Sequence, residues 1–514
     1  MAPTASSSAP NIVVIQADQL TPGVLPAYGH PLVKAPNIDG LAETGVVFDS
    51  AYCNFPLCVP SRASMMAGRL AHNIGTWDNA MEMPAHVPTL AHYLRSVGYH
   101  TVLSGKMHFI GPDQVHGFSE RLTTDIYPAN FAWTPDWIAG ERFRPTGVNP
   151  AAVVDAGQCV RSLQIDYDDE VEHATVQKIH DLARFRNDKP FLLWASFTHP
   201  HSPFVTTKDY WGLYDHDAID MPKVDPVPVE DLDEMSRWLY YAHAQDLLTI
   251  KDEHVRNARH AYYGMTTYID DKVGRILATL DDVGLRDNTI VVFTADHGEM
   301  LGERGMWFKQ YFFEGSVRVP LIVNYPSAYS PRRVAEHVSL VDLLPTFMDW
   351  SGAEWQQVTP LDGQSLDGLL SGGDEMRDGT VISEYTGEGV IAPCRMIRRG
   401  EWKYIYTHGH PALLYNTARD PLELKNLAGR PDATEIEREL ATDILAGWDP
   451  DAINEACIQS QQERMFIQKA TGGEPDWAFL ARQGDAARYV RNAGATQAKQ
   501  KARYPFVEPT PFER

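Results

Sequence analysis

Ile12-Val13-Val14-Ile15-Gln16-Ala17-Asp18-Gln19 is a short apolar run, broken only by Gln16, that ends on a carboxylate and an amide. Such a run reads as a strand buried on both faces of a parallel sheet. Asp18 then stands at the strand's carboxyl end, where open α/β sheets place their ligands, although a helix or turn cap is the alternative. Working outward, the pattern repeats. Residues 34–48 read as a helix capped by Asn37 and running into a second strand, 89–97 as a helix closed by Gly98, and 100–103 as a strand leading into Ser104-Gly105-Lys106-Met107-His108. Lys106 and His108, two apart on an extended piece, are expected to point the same way. Residues 191–197 form a further buried strand before Thr198-His199-Pro200-His201, and 257–280 carry helical spacing. Residues 289–294 read as a strand followed by Asp296-His297-Gly298-Glu299, and 319–323 as another. Strands separated by helices down to about residue 350 imply an α/β fold with a mostly parallel sheet flanked by helices.

Past Val381 the spacing shortens, and strands at 392–398, 402–407 and 412–415 before a helix near 433–447 read as a smaller antiparallel sheet plus helix. The expected organisation is a catalytic α/β domain over 1–380, an α+β subdomain over 381–454 and a C-terminal tail over 455–514. Residues 109–169 lose periodicity and fill with Pro, Gly and aromatics, as a pocket wall or lid does.

A chain of 514 residues, 44% of them apolar, can bury a large core. Its formal charge of -23 argues against nucleic acid or an anionic membrane as partner, so a bound anion needs a local basic cluster. Cysteines at 53, 58, 159, 394 and 457 make no metal-type spacing and no disulfide framework, which fits a reducing compartment. No apolar run has membrane-spanning length and the first ten residues lack an apolar signal core, so the expected location is cytoplasmic.

Pro56-Leu57-Cys58-Val59-Pro60-Ser61-Arg62-Ala63-Ser64-Met65-Met66-Ala67-Gly68-Arg69 places one thiol just ahead of a helix-like run, with Arg62 one turn on. Amide donors and the macrodipole at a helix N-terminus stabilise an anion; a buried structural cysteine before an amphipathic helix is the alternative. Asp18, Gln19, Asp296 and His297 could together hold one divalent cation beside Cys58, with Arg62, Lys106, His108, His201 and Lys309 around an anion. Hard oxygen donors with a single imidazole favour Ca²⁺ over Mg²⁺ or Mn²⁺.

The string from Cys58 to Arg69 resembles the signature of the type I sulfatases of the alkaline phosphatase superfamily. The Asp18-Gln19 strand end, Gly105-Lys106-Met107-His108, Pro200-His201-Ser202-Pro203, Asp296-His297-Gly298 and the segment from Lys309 to Pro320 follow in family order. Within that family, residues 105–118, 122–128, Trp133-Thr134-Pro135-Asp136 and Phe197-Thr198-His199-Pro200-His201 are similar to the choline sulfatases. The resemblance implies that a formylglycine-generating maturation enzyme converts Cys58 to Cα-formylglycine, that its hydrate, activated by the metal and Arg62, attacks sulfur, and that His201 with Lys309 protonates the departing alcohol. It implies that Lys106 neutralises charge on the sulfuryl oxygens, that His108 takes the proton from the second hydroxyl as sulfate leaves, and that His199 is structural. The metal ligands would be Asp18, Gln19, position 58, Asp296 and His297.

A quaternary ammonium leaving group calls for an aromatic face and a carboxylate, and Trp133, Asp136, Asn79 and Glu388 could supply them; Arg144 in that pocket would favour a neutral or anionic alcohol instead. The expected activity is hydrolysis of a small alkyl sulfate ester, with an aryl sulfatase or a phosphonate monoester or phosphodiester hydrolase as alternatives. By the same resemblance a homo-oligomer, dimer or tetramer, is expected in which the tail reaches a neighbour.

Overall fold

The computed structural model describes residues 9–140, 147–185, 189–373, 377–473, 503–508 and 510–511. The opening apolar run forms β1 (Asn11–Ala17), all seven residues buried. Gln16, the polar interruption, is explained by a neighbour: its Oε1 accepts the indole N–H of Trp194 at 2.8 Å, so the buried amide is partly satisfied inside the sheet. Twelve of the strands build two main sheets. In chain order the strands are β2 (Val46–Tyr52), β3 (His100–Gly105), β4 (Glu120–Arg121), β5 (Gly157–Cys159), β6 (Phe191–Ser196), β7 (Val205–Thr207), β8 (Thr289–Ala295), β9 (Arg318–Asn324) and β10 (Arg332–Ser339). They continue with β11 (Val381–Tyr385), β12 (Cys394–Arg399), β13 (Trp402–Thr407) and β14 (Leu413–Asn416).

The large sheet runs β10-β2-β9-β8-β1-β6-β3-β4. Every neighbouring pair in it is parallel except those of β9, which is antiparallel to both β8 and β2. The register aligns the strand ends: Ala17 faces Ala295, Gln16 faces Ser196, and Ser196 faces Gly105. Asp18, Lys106, the segment after Ser196 and Asp296 therefore leave the sheet side by side on one edge. The reversal of β9 serves the same edge, because the segment 296–317 both departs from and returns to it and thus keeps His297 and Lys309 there. Around the sheet, helices Leu163–Arg184, Asp252–Asp282 and Pro36–Thr44 form one contacting group, and Cys58–Ala67, Leu90–Ser96 and Leu343–Trp350 another.

Asn37 is not the cap of the helix it was expected to start. Ala35 takes that position, and the Asn37 amide instead donates to Asp270 Oδ2 at 2.7 Å, pinning two helices together. Strand β10, rich in charge and half exposed, gives too weak an apolar signal to be read from the sequence.

The second sheet, β11-β12-β13-β14, is antiparallel throughout and is covered by helix Thr434–Ile444 through Ile397, Tyr404, Leu414, Leu440 and Ile444. It is latched to the segment between β8 and β9 by Lys403 on β13. That fully buried ammonium donates to Phe312 O at 3.0 Å and pairs with Glu314 and Glu423 at 2.6 Å each, so the small sheet braces the segment that carries Lys309.

Gly105 closes β3 with φ +102°, and a Cβ there would lie 1.9 Å from Ser196 O. Backbone cannot yield as a side-chain tip can. Gly105→Ala is expected to destabilise the fold by roughly 3 kcal/mol, from left-handed strain plus the clash, measured as a lowered denaturant midpoint at unchanged slope.

Candidate active site

Cys58 is the first residue of helix Cys58–Ala67, all ten of whose residues are buried. No side chain of Leu57 caps it; the Val59 amide is met instead by Asn79 Oδ1 at 3.0 Å. The helix stops at Gly68, left-handed at φ 62°, which accounts for the Gly after the small-residue run.

Arg62, one turn along, ties strand ends together. Its Nε donates to Asp296 Oδ2 at 2.8 Å, Nη1 to Lys106 O at 2.7 Å and to Ser196 Oγ at 2.9 Å, and Nη2 lies 3.6 Å from Asp18 Oδ2. Burial works against the guanidinium charge, and Asp296 and Asp18 outweigh it. Lys106 reaches both Asp18 and the Cys58 sulfur, the latter at 3.3 Å, and sits 4.3 Å from the Tyr127 ring centroid.

Lys106 and His108 do converge, but not by strand alternation. His108 has φ 58°, and its amide and that of Met107 are both held by Asp125 Oδ2, at 2.6 and 3.0 Å, with Arg121 gripping the same carboxylate at 2.8 Å. The ring is buried against Tyr127 and Trp133, at centroid distances of 5.3 and 5.8 Å. Burial pushes its pKa down and the Cys58 sulfur partly restores it.

The side chains of Asp18, Cys58, Asp296 and His297 offer ligand atoms that all lie within 4.8 Å of one another. Two carboxylates this close do not share charge evenly. Asp18 is pushed up to about 6, by burial first and Asp296 second, whereas Arg62 holds Asp296 below the usual carboxylate range against burial. Asp18 Oδ1 is buried without a hydrogen-bond partner among the described residues, a costly condition that a cation would relieve. His297 Nδ1 faces Gly298 O at 3.1 Å, which turns Nε2 toward the cluster, 3.3 Å from Cys58 Sγ. Gln19 stands beside this set, its backbone N–H donating to Asp296 Oδ1 at 3.2 Å. Its Nε2 donates to Glu299 Oε2 at 2.5 Å and its Oε1 accepts from Lys309 Nζ at 2.6 Å. The two carboxylates, the imidazole and the orphaned carboxylate oxygen fit a divalent cation.

Glu299, unassigned in the sequence reading although it follows Asp296-His297-Gly298, also takes the amides of Leu301 at 2.8 Å and Phe308 at 2.5 Å, and so shapes the turn ahead of Lys309. Lys309 Nζ lies 2.5 Å from His201 Nε2. His201 Nδ1 sits 2.7 Å from Ser202 O and 3.2 Å from the Tyr127 hydroxyl. His199 turns away to Asp168 Oδ2 at 2.6 Å.

For Cys58, burial opposes the thiolate, but Lys106, Lys309 and His297 together bring its pKa well below the ordinary thiol value. The same field would favour any anion at this position.

A cavity over Cys58 is lined by His108, His201, Lys309, Asn79, Trp133 and Glu388, joined by Tyr127 and Gln310, which the sequence did not single out. Glu388 accepts from Asn79 Nδ2 at 2.9 Å through Oε1, while Oε2 is buried without a partner among the described residues. Burial first, and Asp78 second, push its pKa up to about 8. Asp136 does not line this cavity: its Oδ1 is taken by the amides of Ile138 and Ala139, both at 3.1 Å, in a turn. Arg144 lies outside the described residues. A larger cavity, about 210 Å³, sits behind Glu299 and holds none of the expected residues; chemistry rather than size selects the site.

The comparisons agree with this geometry. The family described as Sulfatase matches residues 10–353, and that described as N-sulphoglucosamine sulphohydrolase, C-terminal, matches 302–447. A choline-sulfatase of Rhizobium meliloti (strain 1021) is 40% identical over 510 residues, covering 97% of this chain and 99% of the relative. An arylsulfatase K of Danio rerio is 31% identical over 470 residues, 86% and 84% of the two chains. Among solved structures, a phosphonate monoester hydrolase of Agrobacterium radiobacter superposes with a TM-score of 0.69 at 26% identity, over 85% of this chain and 95% of that one. With the family matched across most of its length, this chain belongs to the sulfatase family and is a sulfuric ester hydrolase.

Proposed function

We propose that the protein hydrolyses a small alkyl sulfate ester with a cationic alcohol, choline sulfate or a close analogue, after a formylglycine-generating enzyme has oxidised Cys58. The observation that carries this reading is the cavity above position 58, lined by the aromatic residues Trp133 and Tyr127 and by Glu388, whose Oε2 is buried without a hydrogen-bond partner among the described residues. The Rhizobium meliloti choline-sulfatase, matched over nearly the whole chain, supports it. Asp18, Gln19, Asp296, His297 and the modified residue 58 would hold one divalent cation, Ca²⁺ by its oxygen-rich donors, with Mg²⁺ or Mn²⁺ as alternatives. When bound, that ion supplies positive charge beside the sulfuryl oxygens and favours the ionised hydroxyl of residue 58.

The remaining work falls to side chains. Lys106, 3.3 Å from Sγ of residue 58, offsets charge on the transferred group, and Arg62 fixes Lys106 through its carbonyl. Ser202 O holds His201 Nδ1–H, so the proton that the departing alkoxide needs is carried on Nε2 of the imidazolium form, with Lys309 beside it. His108, buried against the same residue, is the base that accepts the second hydroxyl's proton as sulfate is released. Five unbridged, buried cysteines support a reducing, cytoplasmic setting; among the described residues no helix is long and apolar enough to cross a membrane. A homo-oligomer joined through the C-terminal tail remains part of the proposal.

The test is a panel of choline sulfate, a neutral alkyl sulfate, an aryl sulfate and a phosphonate monoester on the matured enzyme. The highest kcat/KM should fall on choline sulfate; a preference for the phosphonate would move the protein to the reading that the Agrobacterium radiobacter structure favours.

Glu388 gives this reading a pH signature. A carboxyl held near 8 is largely neutral below that pH and binds a cation weakly, so KM for the cationic ester should fall as pH rises through about 8. Glu388→Gln should remove that component and leave KM for the neutral alkyl ester unchanged. Its folded pKa lies above the unfolded value, so the native state holds the extra proton and stability declines with rising pH between the two. The variant should flatten that decline.

A further inference from the structure

Helix Pro450–Ala470 lies beyond both family matches, which end at residues 353 and 447. It buries Ile453, Cys457, Gln461 and Arg464, a single stripe that begins apolar and ends polar. The apolar half is ordinary packing. The polar half is not, because placing a guanidinium at 4% exposure is unfavourable unless it is fully paired.

Arg464 is paired in a fork: Nη1 donates to Asp78 Oδ1 at 2.6 Å and Nη2 to Asp78 Oδ2 at 2.7 Å, the carboxylate being completely buried. Asp78 precedes Asn79, which holds both the Val59 amide and Glu388. Nη1 also reaches Thr134 Oγ1 at 3.5 Å, next to Trp133, and Gln461 Oε1 accepts the Trp137 amide at 3.0 Å. Trp137 in turn donates through Nε1 to Gly387 O at 3.4 Å, one residue before Glu388. One turn of this helix is therefore bonded to the segments carrying Asn79 and Trp133 and, through Trp137, to the one carrying Glu388. The bonds of this turn lead to Asp78, Thr134 and Trp137, away from Lys106, which serves the sulfuryl end.

We infer that Arg464 and Gln461 are positioning residues of the alcohol-binding half of the cavity, so that a helix outside the family core sets how tightly the leaving group is held. The inference rests on the proposed assignment of Asn79, Trp133 and Glu388 to the alcohol, and predicts a selective effect. Loosening the clamp disturbs recognition of the alcohol and spares recognition of the sulfate.

The matured, metal-loaded full chain carrying Arg464→Gln would be compared with wild type on the ester that wild type turns over best, alongside competitive inhibition by inorganic sulfate. KM for the ester should rise about tenfold with kcat within about threefold, while the inhibition constant of sulfate stays within about twofold. A KM that does not move, a kcat that falls in its place, or a sulfate constant that rises in parallel overturns the inference. Because the single change leaves Asp78 charged and unpaired, Asp78→Asn with Arg464→Gln is the second variant, and Gln461→Met, which touches no charge, the third. Each should raise KM with the sulfate constant preserved; wild-type KM in the folded Gln461→Met protein overturns the role of Gln461, and wild-type KM in the folded double variant overturns that of Arg464. If the preferred ester proves to be an aryl sulfate or a phosphonate, the proposed function fails, yet the contrast between ester and inorganic anion is still read on that ester.

Discussion

Replacing Cys58 by alanine should lower turnover by at least about 10⁴-fold while the protein still folds, since on the proposed mechanism it removes the group that attacks and not merely one that assists. Sγ is a small part of a helix whose hold on the fold comes from Arg62, Ser61 and the methionines behind it; Ser61 Oγ donates to Asp296 O at 2.6 Å and Met65 and Met66 are fully buried. The informative companion is the chain with Cys58 left as a thiol. Its sulfur sits in the same electropositive pocket, so displacement of the alcohol would leave sulfate joined to sulfur. A thiol lacks the second hydroxyl whose deprotonation ejects sulfate, and that adduct has no way to collapse. The unmatured chain should therefore release at most one equivalent of alcohol per site, and the matured chain many. Mass spectrometry of the peptide spanning residue 58 reports the fraction converted. Rates that scale with that fraction support the assignment, and steady turnover by fully unconverted protein would end it.

The large sheet was readable because its central strands are buried on both faces and so carry uninterrupted apolar runs. β1, β6 and β8 all announce themselves this way, and the functional groups follow directly at their ends. What composition does not encode is direction. β9 is as apolar as β8, and nothing in Val319-Pro320-Leu321-Ile322-Val323 says that it runs backward; only the return of the 296–317 segment to its own starting edge requires it. Residues read as a cluster around Cys58 lie close together: Asp18, Lys106 and Asp296 follow directly on strand ends that the parallel register aligns, Arg62 reaches them from its helix, and Lys309 is carried to the same edge by the segment between β8 and β9. Those left unread act through space rather than through sequence. Glu299 braces Gln19 from 280 positions away, and Arg464 grips Asp78 from 386 away. Asp136 shows the converse error: it sits in a run similar to the choline sulfatases, yet its local backbone geometry takes the carboxylate for a turn.

His201→Ala should discriminate between leaving groups more sharply than any other single change. An alkoxide is too basic to depart without a proton, so on an alkyl sulfate the variant should lose roughly 10²–10⁴ in kcat/KM, the span that general acid catalysis covers. An aryl sulfate with an electron-withdrawing ring expels a stabilised phenolate that hardly needs the proton, and there the loss should stay under about tenfold. The two substrates share the sulfuryl group, so the contrast cancels any effect on anion binding. Lys309 makes the comparison stringent, because its ammonium stands 2.5 Å from His201 Nε2 and can remain when the imidazole is gone. If Lys309 were the proton donor and His201 only its support, Lys309→Ala would show the larger contrast between the two esters. With His201 as donor, Lys309→Ala should instead depress both esters to similar degrees, since what it removes is charge beside the bridging oxygen and the hydrogen bond that orients Gln19. Equal losses on both esters in His201→Ala would remove it from the proton-transfer step and leave it a scaffold for Lys309.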